Sequence, residues 1–545
     1  MATQPHADPG GHEPSDDTPP NPDPAPDGST GLDPPDWDAL RALAHRMLDD
    51  SLDHLATRRA QPVWRPMTDD VRAVFDTPLP RTPEGLAATY DDFRDHVVPY
   101  SMGNDHARFW GWYMGAGNPV GNLADLLASV LNPNLGGADH APVLVEQQVV
   151  RWCAEAAGYP TDASGLLVTG ASEANLVGLA VARASRIGPS LRTDGMPDGR
   201  RFTVYASAEV HSCHRKSCEL LGLGANALRL VPVTDDFTID LDALAAMVAA
   251  DRASGLEPLV VVGSAGTINT GAIDDLDALA DLAQREGLWF HVDGAIGGFL
   301  ALSGQADAVH GLARADSLAL DLHKWMQAPI DVGLALVRDE EAHRRTFSVV
   351  PEYLTHATRG LAAGNVWFNE YGIALSRGFR ALRVWMAFKA YGADAFGRVI
   401  DGTVALARGL ADRVDAHPDL ERLAPVGCDI VCLRYAPATV PEAGLDALNH
   451  ELVLRLQESG VAVVSDTLLR GHVAIRVAIG NHRTRHDDVD LFLETLLELG
   501  AAAAEEDARD GRADTSAVGT ADASAVGTAD ASAVGVADAS AASPT

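Results

Sequence analysis

Leu288-Trp289-Phe290-His291-Val292-Asp293-Gly294-Ala295 is an apolar and aromatic run that ends on an acid followed by small residues. Because it has no regular polar alternation, Leu288–Val292 reads as a strand buried on both faces. The segment before it, Leu276–Glu286, carries apolar residues at helical spacing. The same alternation extends in both directions. Phe202–Ala206, Leu259–Gly263, Ser317–Asp321 and Val332–Val337 read as strands, with helical patterns between them. Strands separated by helices argue for an α/β fold with a mostly parallel central sheet flanked by helices. Ligands of such folds bind beyond the carboxyl ends of the strands, and the polar residues of this chain gather there.

Four stretches of the chain carry candidate chemistry. Asp321-Leu322-His323-Lys324-Trp325 puts a lysine just past a strand, among apolar neighbours. Desolvation there would favour the neutral, nucleophilic amine that a Schiff base needs, although a surface lysine in a loop would look the same. Asp293 could hold a pyridine nitrogen protonated, or could simply cap a helix. Val168-Thr169-Gly170-Ala171-Ser172-Glu173-Ala174-Asn175 opens the helical pattern Leu176–Ala184 with a glycine and small hydroxyl residues. Free N–H groups and the positive end of the helix suit a phosphate there, and plain capping is the alternative. His211, in Ala208-Glu209-Val210-His211-Ser212, could stack on a flat ring or cap the next helix. Gly263-Ser264-Ala265-Gly266-Thr267 is a further glycine-rich strand end, readable as a turn.

The order of these elements resembles the group II pyridoxal-phosphate-dependent amino acid decarboxylases, relatives of aromatic-L-amino-acid and glutamate decarboxylases within fold type I. The likeness spans roughly residues 40–500. It is carried by Thr169–Asn175, His211-Ser212, His291–Ala295 with Gly297-Gly298, and Asp316-Ser317 leading to His323-Lys324-Trp325. The resemblance implies pyridoxal 5′-phosphate as cofactor, joined to Lys324 as a Schiff base, with His211 stacked on its ring and Asp293 at the ring nitrogen. Ala295 would pack beside the ring and Thr267 would line the site. Gly170, Ala171 and Ser172 would hold the phosphate, helped by His323. The implied reaction is decarboxylation of an L-amino acid, an aromatic one favoured, giving an amine and carbon dioxide. Catalysis would fall to Lys324, His211 and Asp293, with no metal. Family members are homodimers, so residues 36–136 are expected to serve as a dimerisation arm.

Two departures bear on the product and the substrate. Read back from Ser376-Arg377-Gly378-Phe379-Arg380, the family's proton-returning tyrosine falls near Trp367-Phe368. Phenylalanine cannot donate a proton, and in some plant relatives it accompanies oxidative deamination to an aldehyde. A shift of register would bring Tyr371 to the place instead. Asn132-Pro133-Asn134-Leu135-Gly136-Gly137 lacks the aromatics usual in the aromatic-specific branch, whereas Phe109-Trp110-Gly111-Trp112-Tyr113 keeps them. Transamination is a rival that would call on an arginine of the C-terminal part, Arg476 or Arg483. A non-catalytic pyridoxal-phosphate-binding regulator and an unused scaffold complete the alternatives.

Composition narrows the rest. The chain has 545 residues, 42 Lys and Arg against 76 Asp and Glu, and a formal net charge of -34. Such acidity argues against gripping nucleic acid or an anionic membrane. Only Lys216, Lys324 and Lys389 are lysines. Cys153, Cys213, Cys218, Cys428 and Cys432 are odd in number and not spaced as CxxC, which argues against a disulfide framework or structural zinc and for a reducing compartment. Cys213 and Cys218 are read as small buried residues. No basic-then-apolar leader and no membrane-length apolar stretch is visible, so a cytoplasmic location is expected. Residues 1–35 form a Pro/Asp-rich tail and residues 501–545 a low-complexity tail with Ser-Ala-Val-Gly at 516, 524 and 532, both expected to be disordered. Between them lie a helical, aromatic-rich segment at 36–136, the large α/β domain at 137–388 and a smaller α+β domain at 389–500, with strands near Ile430–Tyr435 and Val473–Ile479.

Overall fold

Buried strands need both faces covered, and the chain supplies that cover by alternating strand and helix. The computed structural model describes residues 31–349, 357–364 and 366–517. Seven strands form the larger sheet: β1 (Ser164–Val168), β2 (Phe202–Ser207), β3 (Leu228–Val231), β4 (Glu257–Ser264), β5 (Trp289–Gly294), β6 (Ser317–Asp321) and β7 (Gly333–Val337). Their order is β1-β7-β6-β5-β4-β2-β3. The pairs β3–β2, β2–β4, β4–β5 and β5–β6 are parallel, and β7 runs antiparallel to both β6 and β1. The exception has a local cause. No helix lies between β6 and β7, and a connection that short returns a strand antiparallel.

Alternation within the strands shows how the two faces are filled. Val204 and Ala206 of β2, with Val260 and Val262 of β4, share a core with Leu179 and Cys218 from the helices Ala171–Ile187 and Cys213–Leu220. The residues between them, Tyr205 and Val261, point into the opposite core with Leu276 and Leu279 of the helix Leu276–Glu286. Every residue of β2, β6 and β7 is buried. The register levels Ser264 with Asp293 and Asp293 with Ala319, so β4, β5 and β6 end at one rim.

The smaller sheet is antiparallel, in the order β10-β11-β9-β8, from β8 (Leu420–Arg422), β9 (Ile430–Tyr435), β10 (Ser465–Leu469) and β11 (His472–Ala478). Helices Ala393–Ala416, Glu442–Glu458 and His486–Ala517 bury their apolar faces in its core. The last helix runs past residue 501, where the low-complexity tail was expected to begin. Leu493, Leu496 and Ala503 anchor it on the sheet. Residues 1–30 and 518–545, and with them most of both tails, lie outside the described residues.

The chain divides into two units, residues 62–66 with 100–517 and residues 31–61 with 67–99. The aromatic segment Phe109–Tyr113 belongs to the first of these, not to a separate arm. Trp110 N–H donates to Val463 O (2.7 Å), Ala478 N–H donates to Trp110 O (3.1 Å), and the Trp110 ring sits edge-on to Phe492. In the other unit, Asp36 caps the helix Trp37–Thr57, which buries none of its residues. Arg46 pairs with Asp91 at 2.7 Å and Tyr90 OH donates to Asp50 at 2.8 Å.

Candidate active site

The rim where β4, β5 and β6 end opens into a cavity of about 300 Å³. Gly170, Ala171 and Ser172 line it from the start of the helix Ala171–Ile187. His211 lines it from the loop after β2, Thr267 from the loop after β4, and Asp293 and Ala295 from the end of β5. His323 and Lys324 come from the turn after β6. All nine residues expected from sequence therefore meet in one place.

Asp293 is the best-held group in the cavity. Its Oδ2 accepts from Asn175 Nδ2 at 3.0 Å and from His214 Nε2 at 3.1 Å, and its Oδ1 accepts from Ala295 N–H at 3.1 Å. Burial alone would push this carboxyl up. The hydrogen bond and charge of His214, with the charge of Lys324 beyond it, more than offset that and hold Asp293 well below the usual carboxylate range. It is therefore an anion that lines the cavity.

The amine lies one strand away. Lys324 Nζ is 3.8 Å from Asp321 Oδ2, and His323 Nδ1 is 2.8 Å from Asp321 Oδ1. Asp321 Oδ2 also accepts from Ala171 N–H at 3.3 Å, at the first turn of the helix Ala171–Ile187. Glu173 Oε2 satisfies Thr169 N–H and Thr169 Oγ1 at 3.0 and 2.8 Å, which closes the loop into that helix. The backbone there is pinned against β7, since a Cβ on Gly333 would lie 2.5 Å from Gly170 C. His211 Nδ1 accepts from Cys213 N–H at 3.2 Å, which leaves the ring hydrogen on Nε2, and burial lowers its pKa. Thr267 Oγ1 accepts from Ala272 N–H at 3.1 Å, so its loop is tied back on itself.

The outer wall is apolar and aromatic. Trp112, Met114, Ile268, Ile296 and Ile330 line it, together with Tyr113. Trp112 and Tyr113 both take left-handed backbone angles, with φ of 52° and 58°. Side-chain-bearing residues rarely adopt these, and each costs on the order of 1–3 kcal/mol. The strain is held by Tyr113 OH, which donates to the buried Asp429 Oδ2 at 2.7 Å. Burial pushes the Asp429 carboxyl up to about 7.

Several candidates lie elsewhere. Phe368 and Tyr371 are buried in one apolar cluster with Leu166 and Val168, and neither lines the cavity. Leu135 is core, and Asn134 Oδ1 accepts from Gly136 N–H and Arg377 N–H, so that segment is structural. Arg476 donates from Nε to Asn269 O at 3.1 Å, and Arg483 donates from Nη1 to Ala116 O at 3.2 Å; both guanidinium groups lie off the cavity. Cys218 is a buried core residue. Cys213 does line the cavity, with its thiol pushed up to about 12 by burial, so it is no nucleophile.

Sequence reasoning gave no role to Asn175, His214, Asp321 or Glu209. Asn175 and Asp321 stood inside quoted motifs, so their placement was available to be read. His214 follows His211 by less than one helical turn, but nothing local marks a histidine whose partner is 79 residues away. Glu209 lines the cavity and accepts from Asn269 Nδ2 at 2.9 Å.

Comparison with known proteins agrees with this geometry. The family model for the pyridoxal-dependent decarboxylase conserved domain matches residues 69–436. The chain is 32% identical over 471 residues to an aromatic-L-amino-acid decarboxylase of Bacillus atrophaeus, covering 86% of this chain and 96% of that protein. It is 28% identical to a phenylacetaldehyde synthase of Arabidopsis thaliana, over 84% of this chain and 95% of the relative. Among solved structures, Oryza sativa TDC with PLP and tryptamine superimposes with a TM-score of 0.79 at 26% identity, covering 87% of this chain and 99% of that one.

Proposed function

The chain belongs to the pyridoxal-dependent decarboxylase family, and from that premise we propose how its cavity removes the carboxyl group of an aromatic L-amino acid. The protein is an amino acid decarboxylase with pyridoxal 5′-phosphate as cofactor. The residues present fit that group. A buried anion, Asp293, suits a protonated pyridine nitrogen, and a helix N-terminus with a histidine beside it suits a phosphate. The observation that carries the reading is the placement of Asp293 at the end of one strand and Lys324 just past the end of its neighbour, both lining one cavity.

In this reading Lys324 would supply the amine that holds the cofactor and His211 would face its ring. Gly170, Ala171, Ser172 and His323 would hold the phosphate, while Thr267 and Ala295 would line the space beside the ring. When bound, the cofactor draws off the electron pair left at Cα as carbon dioxide departs. The chain's own residues do the rest. Asp293 keeps a negative charge at the far wall, and Trp112, Ile268, Ile296 and Ile330 offer an apolar surface to an aromatic side chain. Decarboxylation is favoured over transamination because Arg476 and Arg483, the arginines a transaminase would use, are tied to backbone carbonyls off the cavity.

The aldehyde-forming alternative rested on Phe368. That residue lies in the core, so its argument loses its residue, although the likeness to a phenylacetaldehyde synthase keeps the product worth measuring. A homodimer is supported by the helix Pro119–Leu131, which exposes Leu123, Leu126, Leu127, Val130 and Leu131 along one stripe. No helix among the described residues is long and apolar enough to cross a membrane. All five cysteines are free, which supports a cytoplasmic site of action. The parts are then a cofactor-binding region at 137–388 and a smaller one at 389–500, with the aromatic wall lent by residues 112–114.

The test is the absorbance of the purified protein with pyridoxal 5′-phosphate, followed by a panel of L-amino acids assayed for carbon dioxide, amine, ammonia and peroxide. A visible band that Lys324→Ala abolishes, with carbon dioxide and amine released from aromatic substrates, is the expected result. Ammonia and peroxide in place of amine would assign the aldehyde route. Absence of a band at saturating cofactor would overturn the reading.

A further inference from the structure

Behind the cavity, a line of polar groups runs from the start of β5 to the Asp293 carboxylate, and its hydrogen bonds have only one consistent direction. Trp289 Nε1–H donates to Ser317 Oγ at 2.8 Å. Ser317 Oγ–H donates to His291 Nδ1 at 2.8 Å, because the other ring nitrogen must give its hydrogen to Asn175 Oδ1, 2.7 Å away. Asn175 is thereby fixed with its amide nitrogen toward Asp293 Oδ2, at 3.0 Å. This tautomer requires a neutral His291, and burial supplies it by pushing that imidazole down to about 3.

His214 approaches the same carboxylate oxygen from the helix Cys213–Leu220. It is fully buried, its ring lies edge-on to that of His291 at 6.0 Å, and its Nε2 is 3.1 Å from Asp293 Oδ2. Its Nδ1 has no hydrogen-bond partner. A buried histidine placed only to fill space would not leave one nitrogen orphaned while spending the other on a carboxylate. We propose that His214 is a positioning residue, which with the Trp289–Ser317–His291–Asn175 line holds Asp293 as a correctly turned anion for the ring nitrogen of the cofactor. The proposal rests on the reading of Asp293 given above. It differs in assigning the electronic control of the site to groups that never touch the cofactor.

The test compares two ligands of the apoenzyme by fluorescence titration: pyridoxal 5′-phosphate and its carbocyclic analogue, in which carbon replaces the ring nitrogen. The wild type should bind the natural cofactor more tightly. His214→Phe should weaken that binding at least about tenfold, the effect of losing a hydrogen bond to a charged group, and should move binding of the analogue by less than about twofold on the same scale. His214→Gln, which keeps an N–H at a similar reach, should recover most of the loss. Ser317→Ala, remote from the cavity, should act in the same selective direction, and it carries the test if His214→Phe does not fold. Equal weakening of both ligands in these variants, or of neither, would overturn the proposal. A wild type that binds both ligands equally would remove the role of Asp293 and this inference with it. A wild type that binds neither would instead refute the cofactor reading.

Discussion

Phe368 occupies the place where the family's tyrosine was expected, yet its ring is packed with Val143, Leu166 and Val168, and the Arg377 guanidinium lies 4.9 Å from its centroid. Arg377 already donates to Glu146, Leu135 O and Leu167 O, so its guanidinium cannot donate to a new hydroxyl without giving up a partner. Phe368→Tyr should therefore destabilise the protein by about 1–3 kcal/mol through an unsatisfied hydroxyl. It should leave the ratio of amine to aldehyde unchanged, as read by a melting curve and a product assay on one preparation. A rise in the amine share would show that this residue does reach a reacting centre. The case also marks what single residues disclose. Lys324, His323 and Asp293 were legible because each ends or follows a buried strand, where a polar residue is conspicuous, and Gly170 because it opens a helical pattern among small hydroxyl residues. His214 was not, since it acquires its meaning from Asp293, which lies 79 residues away in the chain.

Among the elements, the strands buried on both faces were the legible ones. β2, β4, β5, β6 and β7 appear within one or two residues of expectation, because continuous apolar runs of that length have few other uses. β1, β3, β8 and β10 were missed. β1 opens on Ser164-Gly165, and β3 and β10 lie at sheet edges, where half-exposed residues dilute the pattern. Helix Ala171–Ile187 holds a subtler case. Gly178 lowers its helix propensity, so on local grounds Gly178→Ala should help by about 1 kcal/mol. The fold reverses that sign. A Cβ there would stand 2.6 Å from His291 Cε1 and 3.1 Å from Ser317 Oγ, and overpacking of this kind costs about 1–3 kcal/mol. Gly178→Ala should lower the urea midpoint and also weaken cofactor binding, because it displaces the ring that orients Asn175. A raised midpoint would mean that the helix can move away from β5 at little cost.

At the scale of the whole molecule, the net charge of -34 suggests a protein that acid should relieve, but the buried groups set a different response. Burial pushes His291 down to about 3 and His343 and His482 to about 4. Between those values and the ordinary 6.5 or so, the unfolded chain takes up three protons that the folded one refuses, so stability falls as pH falls. Two acids oppose them. Asp274 and Asp429 are raised by burial to about 6 and about 7, so near pH 5 the folded state holds two protons that the unfolded state has lost. The balance of these five groups is one proton taken up on unfolding, a loss of about 1.4 kcal/mol per pH unit on acidification. Asp429→Asn keeps a carbonyl for Tyr113 OH and removes one of the two opposing groups. It should stabilise the protein at pH 8 by up to about 4 kcal/mol, where the wild type must ionise a buried carboxyl. Near pH 5 the gain should shrink to less than half of that, and the acid-side slope should roughly double. Melting curves of both proteins from pH 4.5 to 8 read this directly. A shift of equal size at every pH would mean that Asp429 titrates at its ordinary value, and that the Tyr113 contact beneath Trp112 holds an anion rather than an acid.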